Sequence, residues 1–122
     1  MLDQFKVMGA LAGLLKDKDK VKASADRVRA KLESTRVEGS AGGGAVRVTV
    51  TGTARVEAVR VDPALGAGFA DEESRSLAEA LIAEATNDGL TRAREAAQAI
   101  VEEEAQEMGI ADMLPSLRSF LP

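Results

Sequence analysis

The first quarter of the chain carries apolar residues at steps that alternate between four and three. This is the spacing of one face of a coiled-coil helix, and it predicts a single helix over residues 3–34. Lys18 is the one polar break in this seam. The other members of the seam are Val7, Leu11, Leu14, Val21, Ala25, Val28 and Leu32.

The length of this predicted helix has a consequence for assembly. At ~1.5 Å per residue it would extend about 48 Å, whereas a compact chain of this size is only about 35 Å across. We therefore expect the helix to protrude from its own domain. A protruding helix with an apolar seam needs a partner, and the simplest partner is a second copy, so we predict a homodimer.

The middle of the chain alternates apolar and polar residues with the period of two that strands show. The pattern predicts a three-stranded antiparallel meander over residues 36–62, with a weaker first strand near its start. The alternating valines of the second and third strands are Val46, Val48, Val50, Val59 and Val61.

A second long helix is predicted over residues 71–107, and acidic side chains in its first turn suit the helix dipole. Its predicted apolar face is made mostly of small residues, and Gly109 is expected to end it. The last residues, 110–122, form an apolar tail. The chain therefore reads as one α+β domain over residues 1–122, with the order α-β-β-β-α. The apolar face comprises Ala78, Ile82, Ala85, Gly89, Ala93, Ala96 and Ile100.

Composition excludes several kinds of chemistry. The chain has no cysteine and no histidine, which removes disulfides, cysteine nucleophiles, histidine bases and the usual zinc ligands. We expect no catalytic, cofactor or metal site, and no enzyme activity.

The acidic run Glu102–Glu104 with Glu107 is interpreted as a solvated helix end that could also repel DNA. No segment approaches a membrane span and the N-terminus lacks the order of a secretory signal, so a cytoplasmic protein is expected.

Three consecutive glycines, Gly42–Gly44, raise the possibility of a phosphate-binding loop. Such a loop needs a helix directly after it and a Lys-Ser/Thr pair at the helix start. Here a predicted strand follows and the pair is missing. We interpret the run as a hairpin loop between the first two strands.

Charge is distributed unevenly along the chain. Residues 1–36 carry a net charge of +4, and residues 71–122 carry −8. The basic residues of the first helix form a candidate stripe of phosphate contacts to duplex DNA, which would position the protein without reading sequence. An ordinary solvated helix face is the alternative. The candidate DNA contacts are Lys16, Lys18, Lys20, Lys22, Arg27, Arg29 and Lys31.

The central segment "VEGSAGGGAVRVTVTGTARVEAVRVDPAL" resembles the signature of the YbaB/EbfC family of bacterial nucleoid-associated proteins. The matching features are the glycine loop, the alternating valine strand, Thr51-Gly52, and the strand that ends in Asp62-Pro63. The segment "LIAEATNDGLTRAREAA" is similar to the family's second helix. The resemblance implies an α-β-β-β-α protomer and an intimate homodimer whose protruding helices grip DNA. It also implies DNA binding with little or modest sequence preference, a nucleoid location, and a link to nucleoid organisation and gene regulation.

A second function stays open on the sequence alone. The helix seam and the apolar tail could dock a protein partner, which would make the chain a dimeric interaction or scaffold module. The overall acidity of the chain favours this alternative. The tail residues that would carry the contact are Met113, Leu114, Leu117 and Phe120.

Overall fold

The computed structural model describes residues 18–67 and 69–110, together with residues 4, 6, 8, 9 and 12. Its order confirms the predicted α-β-β-β-α arrangement and adds a short helix that the sequence did not predict. In chain order the elements are α1 (Lys18–Ser34), β1 (Arg36–Ala41), β2 (Val46–Thr51), β3 (Val56–Val61), α2 (Pro63–Gly66) and α3 (Glu72–Glu107). The five isolated residues are also helical, but the predicted start of the first helix at residue 3 lies outside the described residues.

The chain divides into two compact units. The sheet unit is Leu32–Ala97, and it holds the three strands with the first part of α3. The helix unit combines the described residues up to Lys31 with the described residues from Gln98 to Ile110. The basic stretch of α1 and the acidic end of α3 therefore belong to one unit, although 66 residues of sequence separate the two segments.

The sheet is the predicted antiparallel meander, with the strand order β1-β2-β3. Val48 lies opposite Gly39 on one side and Val59 on the other, so these three residues share a face. A register irregularity follows Thr49 and brings Val50 opposite Val56. Because side chains alternate along a strand, the valines of β2 point to one face, and Arg47 and Thr49 point to the other.

One face of the sheet is buried against α3. Val46, Val48 and Val50 have no exposed surface, and neither do Ala85 and Ala93 of the helix. The small residues predicted for the helix face thus permit a close approach to the sheet. Partly buried residues complete this core around the strands: Val37, Leu65, Leu81, Ile82 and Leu90.

Two glycines make this close approach possible. A Cβ on Gly39 would overlap the backbone of Gly89 and the carbonyl oxygen of Ala85. A Cβ on Gly89 would lie 2.7 Å from a methyl carbon of Val50. Gly39 on β1 and Gly89 on α3 therefore bring strand and helix backbones into direct contact. The backbone N–H of Ser40 also donates to the Asp88 carboxylate at 3.0 Å, which fixes this edge strand to the helix.

The C-terminus of the long helix α3 has a common capping motif. Gly109 has a φ of 73°, the left-handed conformation that glycine adopts at a helix C-terminus. The N–H of Ile110 donates to the carbonyl of Ala105, and the N–H of Gly109 donates to Gln106. These are the two bonds of a Schellman motif, so Gly109 ends α3 as its sequence position predicted.

Candidate nucleic-acid interface

Helix α1 is the element predicted to carry the DNA contacts, and its surface is strongly polar. Ser24 is its one buried residue. Six of the seven predicted contact residues lie in this helix, whereas Lys16 lies outside the described residues. Lys31 is half-buried, and the other five are exposed: Lys18, Lys20, Lys22, Arg27 and Arg29.

The helix distributes these cations over two opposite sides. At about 100° per residue, Lys22 and Arg29 lie within roughly 40° of Lys18 around the axis. Arg27 lies about 180° from Lys18, on the other side of the helix. We call Lys18, Lys22 and Arg29 the outer cations. No ion pair or hydrogen bond of their side chains occurs within the part of the chain that the structure describes.

The other side of α1 faces the acidic end of α3. The hydroxyl of Ser24 donates to Oε1 of Glu104 at 2.8 Å. The guanidinium of Arg27 donates to the same oxygen twice, from Nε at 3.1 Å and from Nη2 at 2.7 Å. Ser24 lies 80 positions from Glu104 in the sequence, so this cluster of three side chains ties the two helices together.

The burial of this cluster corrects the interpretation of the acidic run. The side chain of Glu104 is 4% exposed, whereas that of Arg27 is 54% exposed. Glu104 is therefore not part of a solvated helix end, because its carboxylate is buried against α1. Its second oxygen, Oε2, is buried without a hydrogen-bond partner among the described residues. Glu102, Glu103 and Glu107 remain exposed.

The environment of Glu104 favours its charged form. Hydrogen bonds from Arg27 and then from Ser24 lower the pKa of the Glu104 carboxyl, and burial opposes them. The same contact raises the pKa of the Arg27 guanidinium, with the hydrogen bond to Glu104 as the largest cause. Lys31 also lowers the pKa of Glu104 through its charge. The pair is thus a charge-assisted contact of two ionised groups.

Sequence reasoning missed Glu104, although a signal for it was present. The apolar face of the second helix advances by steps of four and three through Ala93, Ala96 and Ile100. One further step of four reaches Glu104, so the helix period places this residue on the inward face. Three adjacent glutamates suggested solvent exposure, and the periodicity was the better guide.

A family model described as the YbaB/EbfC DNA-binding family matches residues 8–108 of this chain. The chain belongs to this family. The matched range covers the whole sheet unit and part of the helix unit, and it includes all seven candidate DNA contacts.

Individual proteins agree with this membership. The chain is 38% identical over 81 residues to a nucleoid-associated protein of Gluconacetobacter diazotrophicus, covering 66% of this chain and 72% of that one. It is 34% identical over 108 residues to a nucleoid-associated protein of Beijerinckia indica, covering 88% and 99%. A crystal structure of an uncharacterized protein from Helicobacter pylori superposes with a TM-score of 0.57 at 25% identity, covering 75% of this chain and 88% of that one.

The glycine run of this family member lies in the connection between β1 and β2. Gly42, Gly43 and Gly44 all have positive φ values, and the strand β2 begins two residues after the run. The helix that a phosphate-binding loop requires is therefore replaced by a strand. The run serves the tight chain reversal of a hairpin, as its sequence context indicated.

Other predictions remain untested or are limited to the described residues. No cluster of three potential metal ligands occurs in the part of the chain that the structure describes. No helix within those same residues is long and apolar enough to cross a membrane. The tail from residue 111 onward lies outside them, so the predicted protein contact through this tail stays a prediction. The absence of enzyme activity also stays a prediction, although the family description names DNA binding and no reaction.

Proposed function

We propose that this protein is a nucleoid-associated protein that binds duplex DNA through phosphate contacts from α1. The observation that carries the proposal is the row of outer cations. Lys18, Lys22 and Arg29 share one exposed side of the helix, over about 16 Å along its axis. Duplex DNA carries one negative charge per ~1.7 Å of its own axis, so such a row can contact several phosphates.

The contacts are expected to position the protein and to read little sequence. Lysine and arginine side chains on a helix surface contact phosphates without base information. The whole chain contains three phenylalanines and no tyrosine or tryptophan, which disfavours the aromatic stacking typical of single-strand binding. Duplex DNA with low sequence preference is the ligand that this surface fits best, and the nucleoid is the corresponding location.

The proposed active form is a homodimer, and the uncovered edge of the sheet supports it. Within the described residues β3 pairs only with β2, so its other edge is open to a further strand. Val56 and Val59 on β3 are 41% and 46% exposed, although Val59 shares a face with the fully buried Val48. An open edge with exposed valines is a surface that a second copy can cover.

Charge reversal of the outer cations tests the DNA surface. The variant Lys18→Glu, Lys22→Glu, Arg29→Glu should lower affinity for duplexes of unrelated sequence by a similar factor of at least ~100 at 50 mM salt, because three contacts become repulsions. The matched control is Arg55→Glu, Arg75→Glu, Arg94→Glu, which changes net charge equally at exposed positions in the sheet unit. Equal losses in both variants would show only a net-charge effect and would contradict the proposed surface.

A further inference from the structure

Arg27 was one of the predicted DNA contacts, but its guanidinium already has an anionic partner. Two of its N–H groups donate to Oε1 of Glu104. The charge of the arginine is therefore balanced by a carboxylate oxygen only 2.7 Å away. A DNA phosphate that approaches the exposed part of Arg27 meets both charges, and its attraction to one is offset by its repulsion from the other.

Transfer of Arg27 from Glu104 to a phosphate would be unfavourable. It would leave an ionised carboxylate buried with one remaining donor, the hydroxyl of Ser24. Taking the cation away from a buried carboxylate costs more than an exposed ion pair returns. The second carboxylate oxygen already lacks a hydrogen-bond partner within the described residues, so losing Arg27 would add to an existing deficit of hydrogen bonds.

We propose that Glu104 is an internal competitor of DNA phosphate: it holds Arg27 out of DNA contact and thereby sets the affinity of the α1 surface. This inference rests on the proposed function. It divides the predicted stripe into outer cations that contact phosphate and an Arg27 that is masked. Glu104 is then a residue that determines affinity although it does not touch DNA.

Neutralising Glu104 tests the masking directly. In Glu104→Gln the Arg27 charge is no longer balanced, so DNA affinity should rise up to about fivefold at low salt. The slope of log affinity against log salt should steepen by ~0.9 for each unmasked arginine. The matched control is Glu103→Gln, because Glu103 is exposed and its neutralisation changes net charge equally. The control slope should stay at the wild-type value.

Three further variants separate masking from stability. Ser24→Ala removes a hydrogen bond to Glu104 but keeps the charge that faces Arg27, so the protein should be less stable with an unchanged salt slope. Arg27→Ala should also leave the slope unchanged, since a masked cation releases few counterions. The double variant Arg27→Ala, Glu104→Gln should lose the steepening seen in Glu104→Gln alone. A slope that becomes shallower by ~0.9 in Arg27→Ala would overturn the proposal.

A measurement on the wild-type chain avoids any folding defect of the variants. In an NMR titration with a random-sequence 20-base-pair duplex, the Nε–H signal of Arg29 should shift and that of Arg27 should stay in place. Equal shifts would overturn the masking. The proposed function fails separately: if the outer-cation reversal leaves DNA binding unchanged, the α1 surface is wrong. If that reversal abolishes binding and Glu104→Gln behaves like Glu103→Gln, only the masking is wrong.

Discussion

The sheet unit and the helix unit are each stabilised internally by a different kind of contact. In the sheet unit, valines and alanines with no exposed surface pack against each other, and two glycines bring backbones together. In the helix unit the buried contact is polar and joins Ser24, Arg27 and Glu104. Apolar packing stabilises the folded state without involving charge. An ion pair with a buried carboxylate instead leaves that charge uncompensated when its cation is removed. The difference suggests a stable scaffold in one unit and adjustable electrostatics in the other.

The largest effect is expected where backbones touch in the sheet unit. Gly39→Ala places a Cβ against the backbone of Gly89 and Ala85, and it should destabilise the protein by about 3 kcal/mol or more. Urea unfolding at fixed protein concentration measures this. Gly43→Ala is the control, because its added Cβ meets open space and its positive φ costs only about 1–2 kcal/mol. Equal losses would mean that close packing is not what Gly39 provides.

Apolar and polar burial can be compared by one truncation in each unit. Val48→Ala should cost about 2 kcal/mol, since it opens a cavity in a fully buried position. Ser24→Ala should cost about 1–2 kcal/mol by removing one hydrogen bond to a charged acceptor. Urea midpoints with unchanged m-values would measure both. A loss in Ser24→Ala that exceeds the loss in Val48→Ala would reverse the proposed division of roles.

Lowering the pH should destabilise each unit by protonating one carboxylate, Asp88 in the sheet unit and Glu104 in the helix unit. Hydrogen bonding from the Ser40 backbone and then from Arg92 lowers the pKa of Asp88, and Arg27 with Ser24 lowers that of Glu104. A carboxyl with a lowered pKa binds fewer protons when folded, so its contribution is present above its ordinary pKa of about 4 and lost as pH falls through the folded value. Urea midpoints from pH 7 to 3 should therefore decrease. Asp88→Asn and Glu104→Gln should each flatten the profile, and an unchanged slope in both would contradict the assignment.

The smallest effect is expected at an exposed ion pair. Arg75 and Glu79 lie one helical turn apart, with 3.9 Å between their charged atoms and most of both side chains in solvent. Arg75→Ala should change the free energy of unfolding by no more than about 0.5 kcal/mol. Thermal unfolding measures this change. A larger loss would show that surface charge also stabilises the sheet unit. That result would contradict the distinction between an apolar sheet unit and a polar helix unit.

The sheet could be predicted from sequence because the alternation of apolar and polar residues along a strand is a local pattern. Alternating valines identify β2, and small residues at helical spacing identify the face of α3 that covers it. The short helix α2 escaped prediction because four residues show no periodicity, although Asp62 caps it through the N–H of Ala64. Sequence indicated the order of elements, and side-chain packing was needed to show how closely Gly39 and Gly89 approach.

The candidate site was only partly accessible from sequence. The sequence shows which residues of α1 are basic. It does not show which side of α1 faces another helix. Arg27 is one of these basic residues, and the structure gives it a buried partner 77 positions away. Contacts of this range depend on the folded arrangement, so the helix period can indicate that Glu104 faces inward but not which residue it contacts.

The salt dependence of wild-type affinity for random-sequence duplex DNA tests the central claim most directly. A homodimer that binds through three outer cations per protomer should release counterions at about six phosphates. The logarithm of affinity should then fall linearly with the logarithm of salt concentration, with a slope near −5. A slope near zero between 50 and 200 mM salt would contradict phosphate binding through α1.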